Sequence, residues 1–348
     1  MVIYMDEKVI GIGMSGGVDS SLAAYLLKEE GYRVIGITMK FIDDEKSNNA
    51  IRDAKEVCDF LNIEHHVIDV VNDFKNIVIK NFIDSYKEGT TPNPCCVCNK
   101  YFKFKLFYDE ALKLGCNYIS TGHYARISDG KLYRANVLEK DQSYFLWGID
   151  KEVLKHVVLP LQDYPNKDEV RERAFKAGLS VSSKKDSQEV CFVPNDDYKA
   201  FLNDNLDSLP KSGNICLKDG TILGKHNGLM YYTVGQRKGL NVSYKEPLYV
   251  IKLDTINNNL IVGSNDDLFG RDLIAKDINF LVDDIPDKLF AKVRSRGSLK
   301  PCRVEILDNN RMKVSLLEDE RAITLGQSVV LYDSNDCLVG GGVIEEVL

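Results

Sequence analysis

A glycine-rich segment between an apolar run and an amphipathic run is the strongest constraint on the fold of this chain. Residues 9–14 are apolar enough for a buried strand, and residues 20–30 have the apolar spacing of a helix. Residues 13–21 join them and read GMSGGVDSS. Glycines let a backbone turn tightly and bring its N–H groups close to a phosphate, and a helix start adds partial positive charge. The segment therefore predicts a strand, an anion-binding loop and a helix in that order.

The alternation of short apolar runs with amphipathic runs continues to about residue 205. Strand followed by helix, repeated, predicts an α/β fold with a parallel sheet and crossover helices, in which ligands lie at the carboxyl ends of the strands. The predicted strands are residues 9–14, 34–39, 67–70 and 118–121, and the predicted helices are residues 20–30, 49–61, 71–87 and 101–114.

The second half of the chain has a different pattern. Short alternating segments are separated by turn residues, and no long amphipathic run is evident. We therefore expect domains at residues 1–205, 206–270 and 271–348, the second a small β domain and the third a β-barrel. The strands predicted for the barrel include residues 291–294, 302–306, 312–316 and 329–332.

Composition restricts the setting of the protein. The 348 residues are 44% hydrophobic and 28% charged, as in a soluble globular protein. No apolar run approaches the roughly 20 residues that a membrane span needs. Asp6 and Glu7 precede the first apolar run, so we expect no export signal, a cytoplasmic location and no membrane partner. Nine cysteines, an odd number, favour reduced thiols over a disulfide framework.

The glycine-rich loop lacks the lysine of a Walker A motif, since Asp19 and Ser20 stand where Gly-Lys-Ser/Thr would be required. This difference favours a reaction that does not cleave the terminal phosphate of ATP. Asp19 is a candidate ligand for Mg²⁺ on the pyrophosphate, and Ser15, Ser20 and backbone amides are candidates for holding the phosphates. A plain glycine turn with a capping Asp or Ser is the structural alternative.

Two segments place cysteines beside lysines. Residues 91–104 form a proline-stiffened loop that leads into a helix, and a helix start together with Lys100 and Lys103 would lower a thiol pKa. Residues 183–193, SKKDSQEVCFV, place Cys191 in a similar setting. The remaining isolated cysteines are expected to be small buried hydrophobic residues, namely Cys58, Cys116, Cys216, Cys302 and Cys337.

The loop string SGGVDS resembles that of the PP-loop ATP pyrophosphatases, which adenylate a carbonyl or carboxylate oxygen and release pyrophosphate. The motifs at residues 92–100, 121–124, 141–145, 183–192 and 228–240, together with Gly326-Gln327-Ser328, occur in the order found in the bacterial tRNA-specific 2-thiouridylases. This resemblance covers nearly the whole chain. It implies an ATP-dependent replacement of the C2 oxygen of the wobble uridine by sulfur, in tRNAs for Lys, Glu and Gln.

The resemblance also implies roles for individual residues. Cys98 corresponds to the first catalytic cysteine, and Cys191 to the cysteine that carries a persulfide. Asn93, Pro94 and Cys95 fall on the target-base loop. The implied ATP site contains Gly13, Met14, Ser15, Gly16, Gly17, Val18, Asp19, Ser20, Met39 and Gly122, and the implied tRNA contacts are His123, Lys140, Asp141, Gln142, Arg294, Ser295 and Gln327. His123 taken alone would be interpreted as a structural histidine.

The resemblance implies partners as well. A persulfide needs a sulfur donor, either a cysteine desulfurase or a sulfur relay protein. The attack of Cys98 on Cys191 would release the transferred sulfur and leave a disulfide that a reductant must reset.

One departure from the family pattern leaves the sulfur chemistry open. Cys95 stands where the common pattern has Asp, so the chain has Cys95-x-x-Cys98, and Cys191 is a possible third thiolate. Three cysteines are able to hold an iron-sulfur cluster with one iron left open. A redox pair, a zinc pair or unligated thiols are the other interpretations.

Two other functions remain open at this stage. An amide-forming PP-loop ligase would use the same loop without a thiol pair, and a non-catalytic RNA-binding protein could retain a vestigial loop. The formal charge of −7 does not exclude RNA, because phosphates are neutralised by local patches. Candidate patches are Lys100, Lys103 and Lys105, and a stretch free of Asp and Glu that contains Lys288, Lys292, Arg294, Arg296, Lys300 and Arg303.

Overall fold

The first half of the chain contains a parallel sheet, as the sequence predicts. A computed structural model describes residues 8–184, 190–206, 208–308 and 310–348. The sheet order is β3-β2-β1-β4-β7, with parallel pairing throughout, while β5 and β6 form a separate antiparallel hairpin. The strands are β1 (Val9–Gly13), β2 (Arg33–Lys40), β3 (Glu64–Asp69), β4 (Tyr118–Ser120), β5 (Arg126–Ser128), β6 (Lys131–Tyr133) and β7 (Val157–Val158).

Helices cover both faces of this sheet. The N-cap carboxylate of Asp44 accepts a hydrogen bond from the Ser47 amide, which satisfies a free donor at the start of α2. Two long helical stretches contain π-helical turns, Lys75–Ile79 and Asn99–Leu106. The α-helices are α1 (Val18–Glu29), α2 (Glu45–Phe60), α3 (Val71–Phe74), α4 (Lys80–Lys87), α5 (Pro94–Cys98), α6 (Phe107–Lys113), α7 (Lys151–Leu154), α8 (Lys167–Lys176) and α9 (Tyr198–Asp204).

The middle of the chain forms a four-stranded sheet in the order β10-β11-β8-β9. Its core contains Ile215, Val250, Leu260 and Val262. The strands are β8 (Gly213–Leu217), β9 (Ile222–His226), β10 (Tyr249–Asp254) and β11 (Asn259–Gly263).

The last part of the chain closes into an antiparallel barrel in the order β12-β15-β14-β13-β16-β17. The expectation of an α/β first part followed by β-rich parts that end in a barrel is therefore confirmed. Its strands are β12 (Phe269–Phe280), β13 (Leu289–Lys292), β14 (Lys300–Ile306), β15 (Arg311–Arg321), β16 (Ser328–Tyr332) and β17 (Leu338–Val347). Across the part of the chain that the structure describes, no helix is both long and apolar enough to cross a membrane.

The barrel packs directly on the first part of the chain. The Tyr144 hydroxyl donates to the Ser328 carbonyl at 2.8 Å, and the Trp147 indole Nε1 donates to the Ser328 hydroxyl at 2.9 Å. Tyr332, which is fully buried, shares a hydrogen bond of 2.9 Å with Ser143. These buried polar contacts fix the barrel against residues 143–147 of the first part of the chain.

Candidate functional site

The glycine-rich loop is held by hydrogen bonds within its own β1–α1 unit. The Ser15 amide donates to the Ser20 hydroxyl at 3.1 Å, and the Ser20 and Ser21 hydroxyls donate to the Gly17 carbonyl. Gly16 has φ +67, and a Cβ at this position would overlap the backbone of Ala50. Only glycine satisfies both requirements, so the loop follows closely from its sequence.

A cavity of about 400 Å³ opens where β1, β2 and β4 end. This is the location that a parallel sheet predicts for a ligand. Of the residues predicted for an ATP site, those that line it are Gly13, Met14, Ser15, Asp19, Ser20, Met39 and Gly122. Gly16, Gly17 and Val18 do not line it, and Val18 is buried at the start of α1. Lys103, His123, Gln142 and Cys191 line the same cavity.

Asp19 has two partners that the sequence analysis missed. The Tyr124 hydroxyl donates to Asp19 Oδ1 at 2.7 Å, and the Lys167 ammonium pairs with Oδ2. Lys167 begins α8, far away in the chain, and no local motif marks it. Each carboxylate oxygen thus has one partner and keeps a second lone pair, so the role of Asp19 as a Mg²⁺ ligand stays a prediction.

His123 lies at the cavity in a neutral state. Its Nδ1 is 2.8 Å from the Thr121 hydroxyl, and its ring packs on Phe104 with centroids 5.7 Å apart. Removal from water, assisted by the nearby Lys103 ammonium, lowers the pKa of His123 to about 3. The imidazole is thus a polar, uncharged group at neutral pH.

The segment with three cysteines forms the short helix α5 and continues into the π-helical turn. Pro94 is at its start, and the Asn93 side chain accepts from the Cys96 amide at 3.4 Å. Cys95 is exposed, whereas Cys96 and Cys98 are buried. Cys96 makes a 3.6 Å contact with the Ser328 hydroxyl. Cys96 therefore belongs to the contact with the barrel.

The predicted lowering of the thiol pKa is wrong for Cys98. Burial raises the pKa of Cys98 to about 12, and Lys103 opposes the shift without reversing it. Cys95 and Cys191 have exposed surface, but the surrounding atoms partly withdraw their sulfurs from water, which raises the pKa of both thiols. Cys98 is the fifth residue of a helix that continues directly into the π-helical turn, and desolvation outweighs the charge of the helix start there.

The lysines near the thiols also differ from the prediction. The ammonium of Lys100 lies over the ring of Tyr101, 5.3 Å from its centroid. Lys184 donates to the Gly16 carbonyl at 2.8 Å, so it supports the nucleotide loop. The positive charge of Lys103 lowers the pKa of Cys95, Cys98 and Cys191 and so opposes the effect of burial at all three thiols.

The thiols of Cys98 and Cys191 lie near each other but in different surroundings. Cys191 is exposed at the cavity, while Cys98 is buried in an apolar cluster with Phe102 and Phe192. Phe192, the chain neighbour of Cys191, packs in the same cluster as Cys98, and the negative charge of a Cys191 thiolate raises the pKa of Cys98. Residues 185–189 of the predicted motif lie outside the described residues.

All nine cysteines lie in the described residues and carry free thiols. Cys58, Cys116, Cys216, Cys302 and Cys337 are buried, as predicted. Among residues 8–184, 190–206, 208–308 and 310–348, no three His, Cys, Asp or Glu side chains are arranged to hold a metal ion. Cys95, Cys98 and Cys191 are thus not gathered as ligands of a single metal ion, and an iron-sulfur cluster shared by these three thiols stays a prediction.

Comparisons with known proteins agree with this architecture. Three family models match consecutive parts of the chain: the tRNA methyl transferase HUP domain at residues 7–195, the tRNA methyl transferase PRC-barrel domain at residues 199–264 and the aminomethyltransferase beta-barrel domain at residues 270–344. The tRNA-specific 2-thiouridylase MnmA 1 of Clostridium tetani is 45% identical, over 100% of this chain and 99% of that protein. The chain belongs to the tRNA-specific 2-thiouridylase family.

A second member of the family and a solved structure place this result in context. The tRNA-specific 2-thiouridylase MnmA of Clostridioides difficile is 45% identical, over 99% of this chain and 100% of that protein. The U34-tRNA thiolase NcsA of Methanococcus maripaludis, solved with its [4Fe-4S] cluster, is 22% identical with a TM-score of 0.37 and covers 57% of this chain and 64% of that chain. The structural likeness is too low to support an argument about the thiols.

The residues for which the family resemblance implies tRNA contacts fall into two groups. Gln142 lines the cavity, and its Oε1 accepts from the Tyr124 amide at 3.0 Å, while Lys140 is half-buried. The carboxylate of Asp141 is fully buried and accepts from the amides of Ala135 and Ser143. The side chain of Asp141 therefore organises its own loop.

The members of the second group lie on the barrel. Arg294 donates to Glu320 at 2.6 Å and to the Arg321 carbonyl at 3.0 Å, while Ser295 is half-buried. Lys300 also lies near Glu320. The predicted basic stretch is therefore not a continuous cationic face, because Glu320 neutralises part of it. Lys292 is buried as well, and desolvation lowers its pKa.

Proposed function

We propose that this protein is an ATP-dependent tRNA-uridine 2-sulfurtransferase that converts the wobble uridine of tRNAs for Lys, Glu and Gln to 2-thiouridine. The observation that carries the proposal is the cavity that contains both the nucleotide loop and Cys191. The same cavity thus contains the proposed phosphate-binding loop and the accessible thiol of Cys191. Family membership supplies the substrate class.

The ATP-dependent half of the reaction is assigned to the loop. The C2 oxygen of uridine attacks the α-phosphorus of ATP, the bond to the β-phosphate oxygen breaks, and pyrophosphate leaves. Loop amides, the hydroxyls of Ser15 and Ser20, and the start of α1 would stabilise the negative charge. The poor leaving group on C2 is thereby converted to AMP.

The sulfur-transfer half is assigned to Cys191 and Cys98. The terminal sulfur of a persulfide on Cys191 attacks C2, and AMP departs with the former C2 oxygen. The Cys98 thiolate then attacks Sγ of Cys191. The bond between this Sγ and the sulfur on C2 breaks, and 2-thiouridine is released. The two cysteines lose two electrons and form a disulfide, which an external thiol reductant returns to the thiols.

The contrast in burial suits these two roles. The accessible Cys191 can receive sulfur from a desulfurase or relay protein, whereas the buried Cys98, with its raised pKa, stays protonated until Cys191 is loaded. Lys103 lines the cavity and is the cation that favours the thiolates. Lys103 is therefore proposed to promote deprotonation of Cys98.

The RNA is proposed to cross the joint between the first part of the chain and the barrel. A second cavity of about 400 Å³ lies there, lined by Lys100, Lys105, Asp150 and Lys151 on one side and by Asn279 and Phe280 of β12 on the other. Lys105 pairs with Asp109 and Lys151 with Asp283, so RNA phosphates would have to replace these carboxylates. Local cationic groups of this kind neutralise phosphates even where the net charge is negative.

The decisive experiment combines tRNA nucleoside mass spectrometry with a pyrophosphate assay. Purified protein is incubated with unmodified tRNA, ATP, Mg²⁺, a cysteine desulfurase, cysteine and dithiothreitol. We expect 2-thiouridine from the wild type and none from Cys191→Ser, while pyrophosphate release by that variant still depends on tRNA. Failure of the wild type to form 2-thiouridine, with an active donor verified by sulfide release, would overturn the proposal.

Cys95→Ser is the matched control. Cys95 lies on the same helix as Cys98 and is exposed. It falls on the target-base loop that the family resemblance implies, but it carries no sulfur in the proposed transfer. We therefore expect this variant still to form 2-thiouridine, in contrast to Cys191→Ser. Loss of thiolation in Cys95→Ser, together with bound iron in anaerobically purified wild type, would replace the persulfide route with a three-cysteine cluster.

A further inference from the structure

The side chain of Gln327 points at protein backbone. Its amide Nε2 donates to the Thr91 carbonyl at 3.1 Å and to the Pro92 carbonyl at 3.2 Å. An amide group has two N–H donors, and both are accounted for by these two bonds. Thr91 and Pro92 directly precede Asn93 and Pro94, where α5 begins. Gln327 thus holds the entry to the helix that carries Cys95, Cys96 and Cys98.

The barrel provides a rigid base for this contact. The Ile344 amide donates to the Gln327 carbonyl at 2.8 Å, and the Gly326 amide donates to the Ile344 carbonyl at 2.9 Å. Both bonds tie the Gln327 turn to β17, one of the six strands of the closed barrel. The turn therefore cannot move without disturbing the barrel.

Two further contacts join the same surfaces. The Thr91 amide donates to the Leu325 carbonyl at 2.8 Å. A Cβ on Gly326, which has φ +86, would lie 2.8 Å from the Thr91 carbonyl oxygen. The two backbones are thus packed closely enough to require glycine on the barrel side.

We propose that Gln327 is a positioning residue, through which the barrel fixes the entry to α5 and so the placement of Cys98. The inference rests on the proposed function for its kinetic consequence, but the positioning itself needs no tRNA. It assigns the barrel a role in building the sulfur-transfer site as well as any role in holding RNA. Direct recognition of tRNA by the Gln327 amide is the competing outcome.

Thiol reactivity of the tRNA-free enzyme separates these outcomes. Gln327→Met keeps the length of the side chain and removes both donors. We expect the alkylation rate of Cys98 by N-ethylmaleimide, measured by peptide mass spectrometry, to rise about tenfold, the change in local opening expected for two lost hydrogen bonds. If Gln327 contacts only tRNA, the rate stays unchanged.

Kinetics provide the second measurement. In single-turnover thiolation with persulfide-loaded enzyme, we expect Gln327→Met to lower the rate about tenfold or more, because small misplacements of reacting groups are costly. The dissociation constant for tRNA should stay within about twofold. A weaker tRNA affinity with an unchanged single-turnover rate would overturn the inference.

Two further variants distinguish a specific effect at the α5 entry from a general loss of structure. Thr324→Val removes a hydrogen bond of 2.9 Å to the Ala322 carbonyl within the same turn, without touching the α5 entry, and should leave Cys98 reactivity unchanged. Gly326→Ala should reproduce the effect of Gln327→Met by pushing the turn away from Thr91. Equal effects from Thr324→Val and Gln327→Met would refute a specific role for Gln327.

The test also separates this inference from the proposed function. A wild type that forms no 2-thiouridine refutes the function, whereas the alkylation rates still decide whether Gln327 positions α5. An active wild type whose Cys98 reactivity is the same in Gln327→Met refutes the inference alone.

Discussion

Two segments carry the proposed chemistry, the nucleotide loop and the entry to α5, and they are held in opposite ways. The nucleotide loop is held by its own neighbours, since Ser20 bonds to Ser15, five residues away. The entry to α5 is held from the barrel, where Gln327 lies 236 residues beyond Thr91. The proposed adenylation therefore depends mainly on one βα unit, whereas the proposed sulfur transfer depends on two distant parts of the chain.

The largest predicted effect tests whether the nucleotide loop depends on its own βα unit. Gly16→Ala places a Cβ against the backbone of Ala50 and forces φ +67 on alanine, so the loop must shift. We expect tRNA-dependent pyrophosphate release to fall about 100-fold or more. Alkylation of Cys98 should be unchanged, since α5 is held from the barrel.

Gly31→Ala is the control for Gly16→Ala. Gly31 follows α1 with φ +86, and a Cβ there would meet nothing within 4 Å. This variant carries the same kind of backbone strain without the overlap, and it should keep pyrophosphate release within about threefold. A similar loss in both variants would show that strain alone, and not the fit of the loop, controls activity.

The same contrast explains how much of the fold could be predicted from the sequence. The parallel strands and the barrel follow from apolar periodicity, which is a local property, and β1 and β2 occur where the pattern places them. The π-helical turns, such as Asn99–Leu106, were not predicted, since the sequence pattern there is that of an ordinary helix. Topological neighbours such as β12 and β15 also cannot be deduced from spacing.

The part of the site that consists of residues close together in sequence could be predicted. Ser15, Asp19 and Ser20 line the cavity as expected, but the partners of Asp19, Tyr124 and Lys167, come from elsewhere in the chain. The thiol pKa was misjudged because nearby lysines are visible in a sequence, whereas burial is a tertiary property.

Asp141 and Gln327 illustrate the same limit. Each matches a residue that the family resemblance assigns to RNA, yet the carboxylate of Asp141 and the amide nitrogen of Gln327 bond to this chain itself.

The next effect tests the contact between barrel and first domain. Ser328→Ala removes the acceptor of the Trp147 indole N–H, which lies in a buried setting. An unsatisfied buried donor costs about 1–3 kcal/mol, so the contact should separate at lower urea concentration. Trp147 is the only tryptophan of the chain, and its fluorescence therefore reports on this joint.

Ser128→Ala provides the comparison for Ser328→Ala. The Ser128 hydroxyl lies 3.4 Å from an Asp129 oxygen at an exposed turn, and its loss should change stability by less than about 0.5 kcal/mol. If Ser328→Ala leaves the urea midpoint of Trp147 fluorescence unchanged, the hydrogen bond does not stabilise the joint.

The smallest effect concerns Lys103, which is near both segments. Lys103 lines the cavity and lowers the pKa of Cys98, whose value of about 12 leaves the thiol protonated at neutral pH. The thiolate fraction, and with it the alkylation rate, should rise about tenfold per pH unit between pH 7 and 9.

Lys103→Met raises the thiol pKa further, so we expect alkylation at pH 8 to slow by about 3- to 10-fold.

Lys105→Met is the matched control, because Lys105 pairs with Asp109 at the surface and is not among the charges that shift the pKa of the three thiols. Its alkylation profile should coincide with that of the wild type. A rate for the wild type that levels off below pH 8 would mean that Cys98 is already a thiolate there. Burial would then not control its reactivity, and the contrast between a protonated Cys98 and an accessible Cys191 would fail.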